Sequence, residues 1–90
     1  SPMRLRGDDL TWQEIDGELV ILDLARSSYL TTNGTGAFLA KLLVEERSAD
    51  DLAAALAAEY GIDEADARED VAAFVAELGR LELLEGTPAE

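Results

Sequence analysis

The chain has no cysteine and no histidine among its 90 residues. Without cysteine there is no disulfide framework, no thiolate nucleophile and no Cys-based metal site. The composition is compatible with a reducing compartment, and a cytoplasmic location is expected. Without histidine the commonest general base, the commonest metal ligand and the usual pH switch are absent together. Basic residues are scarce: 7 Lys and Arg stand against 20 Asp and Glu, a formal net charge of -13. So negative a surface repels phosphate backbones and anionic lipid, which excludes nucleic acid and membrane, and it attracts basic peptides. No apolar run approaches the roughly 20 residues that span a bilayer. The start, Ser1-Pro2-Met3-Arg4, lacks the apolar segment of a signal peptide. Ser1 and Pro2 ahead of Met3 read as a cloning remnant.

What is present fits one small domain, expected over residues 4–85, with a polar tail over 86–90. The N-terminal third is rich in strand formers. Thr11 to Ile15 is a first strand, and Asp16-Gly17 is a hairpin turn signal. Leu19 to Leu24 is a second strand, and Ser28 to Leu30, extending as far as Thr32, is a short third one. Together they predict an antiparallel meander. The second strand is apolar without alternation. Val20, Leu22 and Leu24 point one way, Leu19 and Ile21 the other. A sheet with one wet face alternates apolar and polar residues. Either this sheet is covered on both faces or one apolar surface is kept for a partner.

Helices are expected in the remainder. Asn33-Gly34-Thr35 offers short polar side chains to cap a helix over about Thr35 to Glu46, with Phe38, Leu39, Leu42 and Leu43 on one stripe. Ser48 and Asp51 resemble a capping box opening a second helix, about Ala49 to Tyr60, which Gly61 ends. Asp63 is the expected N-cap of a third helix, about Glu64 to Leu78, ended by Gly79. Its apolar face carries Ala67, Val71, Phe74, Val75 and Leu78. Leu81 to Glu85 reads as a closing extended segment.

Catalysis finds few supports. Serine or threonine nucleophiles need a base, and His and Cys are missing. The acidic pairs Glu45-Glu46, Asp50-Asp51 and Glu69-Asp70 fall on expected wet faces. Asn33-Gly34-Thr35-Gly36 lacks the lysine and the spacing of a phosphate loop, and Asp63-Glu64-Ala65-Asp66 lacks the central glycine of a calcium loop. The protein is therefore expected not to be an enzyme and to carry no cofactor and no metal. Three helices and an extended end invite a winged-helix reading. The third helix, however, holds Arg68 against Asp66, Glu69, Asp70 and Glu77, which is unfavourable for phosphate. A binding module remains. If the third strand lies at a sheet edge, its free backbone N–H and C=O groups can pair with an extended peptide, and a nearby helix supplies side-chain pockets.

The order of segments resembles a family. An apolar strand ends in Leu22-Asp23. Tyr29-Leu30-Thr31-Thr32-Asn33-Gly34-Thr35-Gly36 leads into a helix with Phe38 and Leu39. Ser48-Ala49-Asp50-Asp51-Leu52 opens the second helix, which closes near Tyr60, and Asp70-Val71, Phe74-Val75 and Leu78 lie on the third. This is similar to the PqqD-like domains, or RiPP recognition elements, over roughly residues 4 to 85. A departure lies at Gly79-Arg80-Leu81, shifted from the family's usual Gly-Leu pair, which leaves the end of the third helix open.

The resemblance implies an α+β, winged helix-turn-helix-like fold, with a three-stranded antiparallel N-terminal sheet followed by three helices. It implies no catalysis, but binding of the leader segment of a ribosomally made precursor peptide, antiparallel to the third strand and beside the third helix. A separate acidic domain of this length is similar to the leader-binding proteins of split lasso peptide systems. Their partner is a transglutaminase-like cysteine leader peptidase, alongside a cyclase. A PQQ-pathway peptide chaperone serving a radical enzyme is the alternative within the family, and a winged-helix regulator acting through protein contacts the alternative outside it. The residues expected to bind peptide are the backbones of Ser28, Tyr29 and Leu30, and Ala67, Arg68, Asp70, Val71, Phe74 and Val75 on the third helix. Asp70 and Glu69 are candidates for leader lysines. Val75 and Arg68 occupy one flank of the helical stripe, Asp70 and Phe74 the other, and the choice of flank facing the third strand stays open.

Overall fold

The computed structural model describes residues 2–86. Ser1 and most of the expected polar tail, residues 87–90, lie outside the described residues. The elements run β1 (Met3–Leu5), β2 (Leu10–Ile15), β3 (Glu18–Asp23), β4 (Ser28–Asn33), α1 (Thr35–Leu42), α2 (Ala49–Tyr60), α3 (Glu64–Arg80) and β5 (Leu84–Gly86). This is the expected α+β architecture, with the three-stranded meander formed by β2, β3 and β4. The strand read as third in the sequence is therefore β4.

Asp16 and Gly17 turn β2 into β3 with φ of 53° and 82°, the left-handed pair that a two-residue hairpin needs to match strand twist. The register runs from Ile15 against Glu18 to Leu10 against Asp23, and β4 continues it from Asp23 against Ser28. Because side chains alternate, the inner face carries Trp12, Leu19, Ile21 and Leu30 in adjacent rows, and it packs on the helices. The outer face carries Val20 and Leu22, half-buried, with Ile15 and Tyr29 exposed.

A second sheet of two strands was not expected. Met3–Leu5 pairs antiparallel with Leu84–Gly86, which makes the closing extended segment a strand. Gly86 has φ of 87°, and a Cβ there would lie 2.5 Å from the Pro2 carbonyl oxygen, so the position requires glycine. This sheet also explains why α1 stops at Leu42, four residues earlier than its sequence suggests. The Leu43 carbonyl accepts from the Leu5 N–H at 2.9 Å, and Met3 and Arg47 exchange two backbone hydrogen bonds of 2.9 Å. The segment after α1 is thus drawn off to pair with β1.

The helix starts divide by mechanism. The capping box of α2 is formed: Ser48 Oγ accepts from the Asp51 N–H at 3.0 Å, and Asp51 Oδ2 accepts from the Ser48 N–H at 3.3 Å. Gly61 closes α2 in the left-handed conformation. Asp63 is the N-cap of α3, but its side chain makes no capping hydrogen bond. At α1 the expected polar cap is replaced by Gly34, whose φ of 52° and ψ of -120° suit only glycine. Nor does Gly79 end α3. The helix passes through it and stops in a Schellman turn: the Leu83 N–H donates to the Leu78 carbonyl and the Glu82 N–H to the Gly79 carbonyl, both at 3.0 Å. Glu82 takes the left-handed position, with φ of 59°. Stopping there buries Leu83.

The core gathers Met3, Ile21, Leu39, Leu43, Leu52, Leu56, Leu78 and Leu83, all essentially inaccessible. Phe38 and Tyr60 meet edge to face at 5.7 Å between α1 and α2. Among the described residues no helix is long and apolar enough to cross a membrane.

Candidate peptide-binding site

Strand β4 is the outermost strand of its sheet: the order is β2-β3-β4, and no strand lies against its other side among the described residues. Its free edge therefore presents backbone donors and acceptors without a ladder partner. Alongside lies a shallow hollow of about 270 Å³, lined by Leu30, Thr31 and Thr32 of β4, Gly36 of α1, and Phe74 and Glu77 of α3. This answers the question of flank, since Phe74, not Val75, borders the strand. Gly36 keeps the junction tight. A Cβ at this position would meet the Thr32 Cβ at 3.1 Å and the Phe74 ring at 3.5 Å. Thr32 is buried and its hydroxyl donates to the Leu19 carbonyl at 3.4 Å, which holds the end of β4 in place.

The other flank of α3 borders a larger cleft of about 790 Å³. Val71 and Val75 form its floor, Leu84 of β5 a wall, and Arg6, Arg26 and Arg68 reach its rim. Three of the seven basic residues thus converge on one cleft of an acidic chain. Each is engaged. Arg68 pairs with Asp50 at 2.5 Å and Glu64 at 3.7 Å. Arg26 donates to Glu82 at 2.9 Å, and Arg6 donates to the Glu82 carbonyl at 2.8 Å and to Asp23 at 2.6 Å.

Asp23 is the hub of this network and, among the described residues, the one carboxylate in the core. Its carboxylate also accepts from the backbone N–H groups of Ala25 at 3.1 Å and Arg26 at 3.3 Å. Burial pushes the carboxyl up, but the Arg6 hydrogen bond, the Arg26 N–H, the Arg6 charge and the Ala25 N–H together hold it below the ordinary carboxylate range. The network ties the β3–β4 turn to the α3–β5 turn, and so fixes β4 relative to α3. On the lip of the small hollow Glu77 accepts from Arg80 at 2.6 Å, and that hydrogen bond holds its carboxyl below the usual range.

The residues expected to bind peptide are thus distributed over two hollows. Ser28, Tyr29 and Leu30 lie on the free edge strand, with Leu30 facing inward and Tyr29 outward. Phe74 joins Leu30 in the small hollow. Arg68, Val71 and Val75 line the larger cleft. Asp70 and Glu69 are exposed, and Asp70 lines neither hollow. Ala67 requires correction: it is fully buried in the core and has no surface to offer a peptide, because the helical stripe centres on it as well as on Val71 and Leu78. Sequence reasoning missed Gly36, Glu77, Arg6, Arg26 and Glu82. Only Gly36 carried a signal, as the second glycine ahead of an apolar helix. The others come together through turns whose meeting no local pattern encodes.

A family model for coenzyme PQQ synthesis protein D (PqqD) matches residues 18–84. The chain belongs to the PqqD family. Two solved structures share the PqqD-like fold. TbiB1 in complex with the TbiA(beta) leader peptide is 30% identical with a TM-score of 0.82, covering 93% of this chain and 96% of that one. Lasso peptide synthetase B1 complexed with the leader peptide is 29% identical with a TM-score of 0.80, covering 96% of this chain and 100% of that one. No curated protein sequence matches the chain significantly. The matched PqqD region begins at β3, so it includes β4, all three helices, the small hollow and the larger cleft apart from Arg6 and Gly86, but not β1 or β2.

Proposed function

We propose that this PqqD-family domain binds the leader segment of a ribosomally synthesised precursor peptide of the lasso type and presents it to a separate leader peptidase, in the cytoplasm and without catalysis of its own. The observation that carries the reading is the free edge of β4 beside the hollow shared by Leu30 and Phe74. An extended guest adds to such an edge by main-chain hydrogen bonds, and every second side chain turns into the hollow. The two leader-bound relatives support the identity of the guest.

Direction follows from the antiparallel pairing that the family resemblance implies. A guest antiparallel to β4 begins near Thr32 and leaves past Ser28. Arg26, two residues before Ser28, stands on the rim of the larger cleft. The guest's C-terminal continuation is therefore delivered to Val71 and Val75. The backbones of Ser28, Tyr29 and Leu30 hold the paired segment, and Phe74 receives its inward side chains. Arg68, Val71 and Val75 receive the guest residues C-terminal to that segment. Asp70 and Glu69, on the open surface, meet leader lysines at less than about 1 kcal/mol each.

The test is backbone-specific. Candidate leader peptides of lasso-type precursors, N-methylated at successive single positions, are titrated by fluorescence polarisation. Strand addition requires alternation: methylation of every second amide abolishes binding, and methylation of those between leaves it intact. Uniform tolerance sinks the proposal.

A further inference from the structure

The apolar run of β3 has two faces, and leader binding uses neither of them fully. Its inner side chains, Leu19 and Ile21, are core. Its outer ones, Val20 and Leu22, lie on a sheet face that no element covers among the described residues, in rows with Thr31 and Tyr29 of β4. Ile15, Leu24 and Tyr29 are more than half exposed on this hairpin sheet. A solvated outer face would carry polar residues at these positions.

We infer that the outer face of the β2–β3–β4 sheet is the docking surface for the enzyme that processes the bound peptide, a protein whose contact surface is apolar and rimmed by lysine or arginine. The inference rests on the leader-binding reading. Two observations select this occupant. The first is charge. The outer-face positions of the three strands carry no Lys or Arg, while exposed Asp16 and Glu18 stand at one end of the hairpin and exposed Asp8 and Asp9 at the other, where Arg26 is already paired with Asp23 and Glu82. A basic rim is complementary to that arrangement, whereas a second copy of a chain with net charge -13 is repelled by it. The second is continuity. A guest strand on β4 extends the same sheet, so its outward side chains join the row of Tyr29 and Thr31. An enzyme seated on this face touches carrier and guest together, and leaves the α3 hollows to the leader.

The test uses the triple variant Ile15→Thr, Val20→Thr, Leu22→Thr, which keeps strand-compatible residues while removing the apolar surface. Two affinities are measured: for the labelled leader peptide, and for a purified transglutaminase-like cysteine leader peptidase of a split lasso system. The expected result is leader affinity within about twofold of wild type and at least a tenfold loss for the peptidase, the scale of one buried aliphatic side chain. Should the triple variant not fold, Ile15→Ser alone carries the test, with a loss of about threefold or more expected. Unchanged peptidase affinity overturns the inference, as does a wild-type protein that binds no peptidase. A concentration-dependent dimer by sedimentation that the variant abolishes overturns it too, by assigning the face to a second copy. Failure of the wild type to bind leader is a different result, which removes the functional reading itself.

Discussion

Asp23 shows how one buried carboxylate holds a candidate binding site in shape from a distance. It touches no part of either hollow's lining except through Arg6 and Arg26, yet by way of Arg6 and the Arg26 backbone it joins the turn that launches β4 to the turn that ends α3. Its carboxyl is held low in the folded protein. Folded-state ionisation is therefore favoured over unfolded, and its contribution is complete above the unfolded carboxylate value of about 3.9 and is lost as pH falls through the lower folded value. Asp23→Asn is expected to lower the melting temperature at pH 7 and to flatten the acid limb, so that variant and wild type converge once the pH has fallen below the lowered folded value. Thermal melts across pH 2–7 check this; parallel curves would show that Asp23 contributes nothing pH-dependent. Gly34 is a second residue with a defined task. Its backbone lies where a Cβ is strained, so Gly34→Ala is expected to cost about 1–3 kcal/mol in chemical denaturation. Its polar neighbours suggested a side-chain cap, and the chain uses glycine's conformational freedom in its place.

At the scale of elements, α3 borders a hollow on each of two flanks, and two substitutions separate them. Phe74 is half-buried against Leu30 and Thr32, so Phe74→Ala should cost less stability than the about 3–5 kcal/mol of a fully buried ring. It should also weaken the full-length leader and a peptide truncated to the paired segment alike. Val75 is buried on the floor of the other cleft. An arginine there can run its stem into the open cleft, so Val75→Arg should retain the fold. It is expected to weaken the full-length leader about tenfold while sparing the truncated one. Titration of both peptides against both variants decides, and equal effects on the truncated peptide would refute the two-hollow division. The stripe of α3 was legible because its period reflects burial, as Val71, Val75 and Leu78 demonstrate. Its end was not. Gly79 carries the usual stop signal, but the αL residue is Glu82, chosen by the burial of Leu83 and by the ion pair with Arg26. The capping box of α2 was legible because both its partners lie within one turn.

For the molecule as a whole, charge governs the encounter. With -13 and most acids exposed, association with a lysine-bearing leader should slow as salt rises from about 50 to about 500 mM, while dissociation, set by ladder and hollow, changes little. Stopped-flow rates test this split. An association rate indifferent to salt would show that the field does not steer the peptide. The same field opposes DNA despite the winged-helix topology, since Arg68 on α3 is already neutralised by Asp50 and Glu64.

What the sequence determined by itself was local: the hairpin at Asp16-Gly17, the cap at Ser48, the apolar faces of β3 and α3, and the absence of the usual reactive side chains. These depend on neighbours within a few residues, and their chemistry is the same in any fold. Tertiary structure alone decided the rest. It joined residues 3–5 to residues 84–86, cut α1 short, put Phe74 and not Val75 beside β4, and brought Arg6, Asp23, Arg26 and Glu82 into one network. Those contacts link segments up to about eighty residues apart in the chain, and which of several compatible flanks and partners is taken is fixed only when the whole core packs.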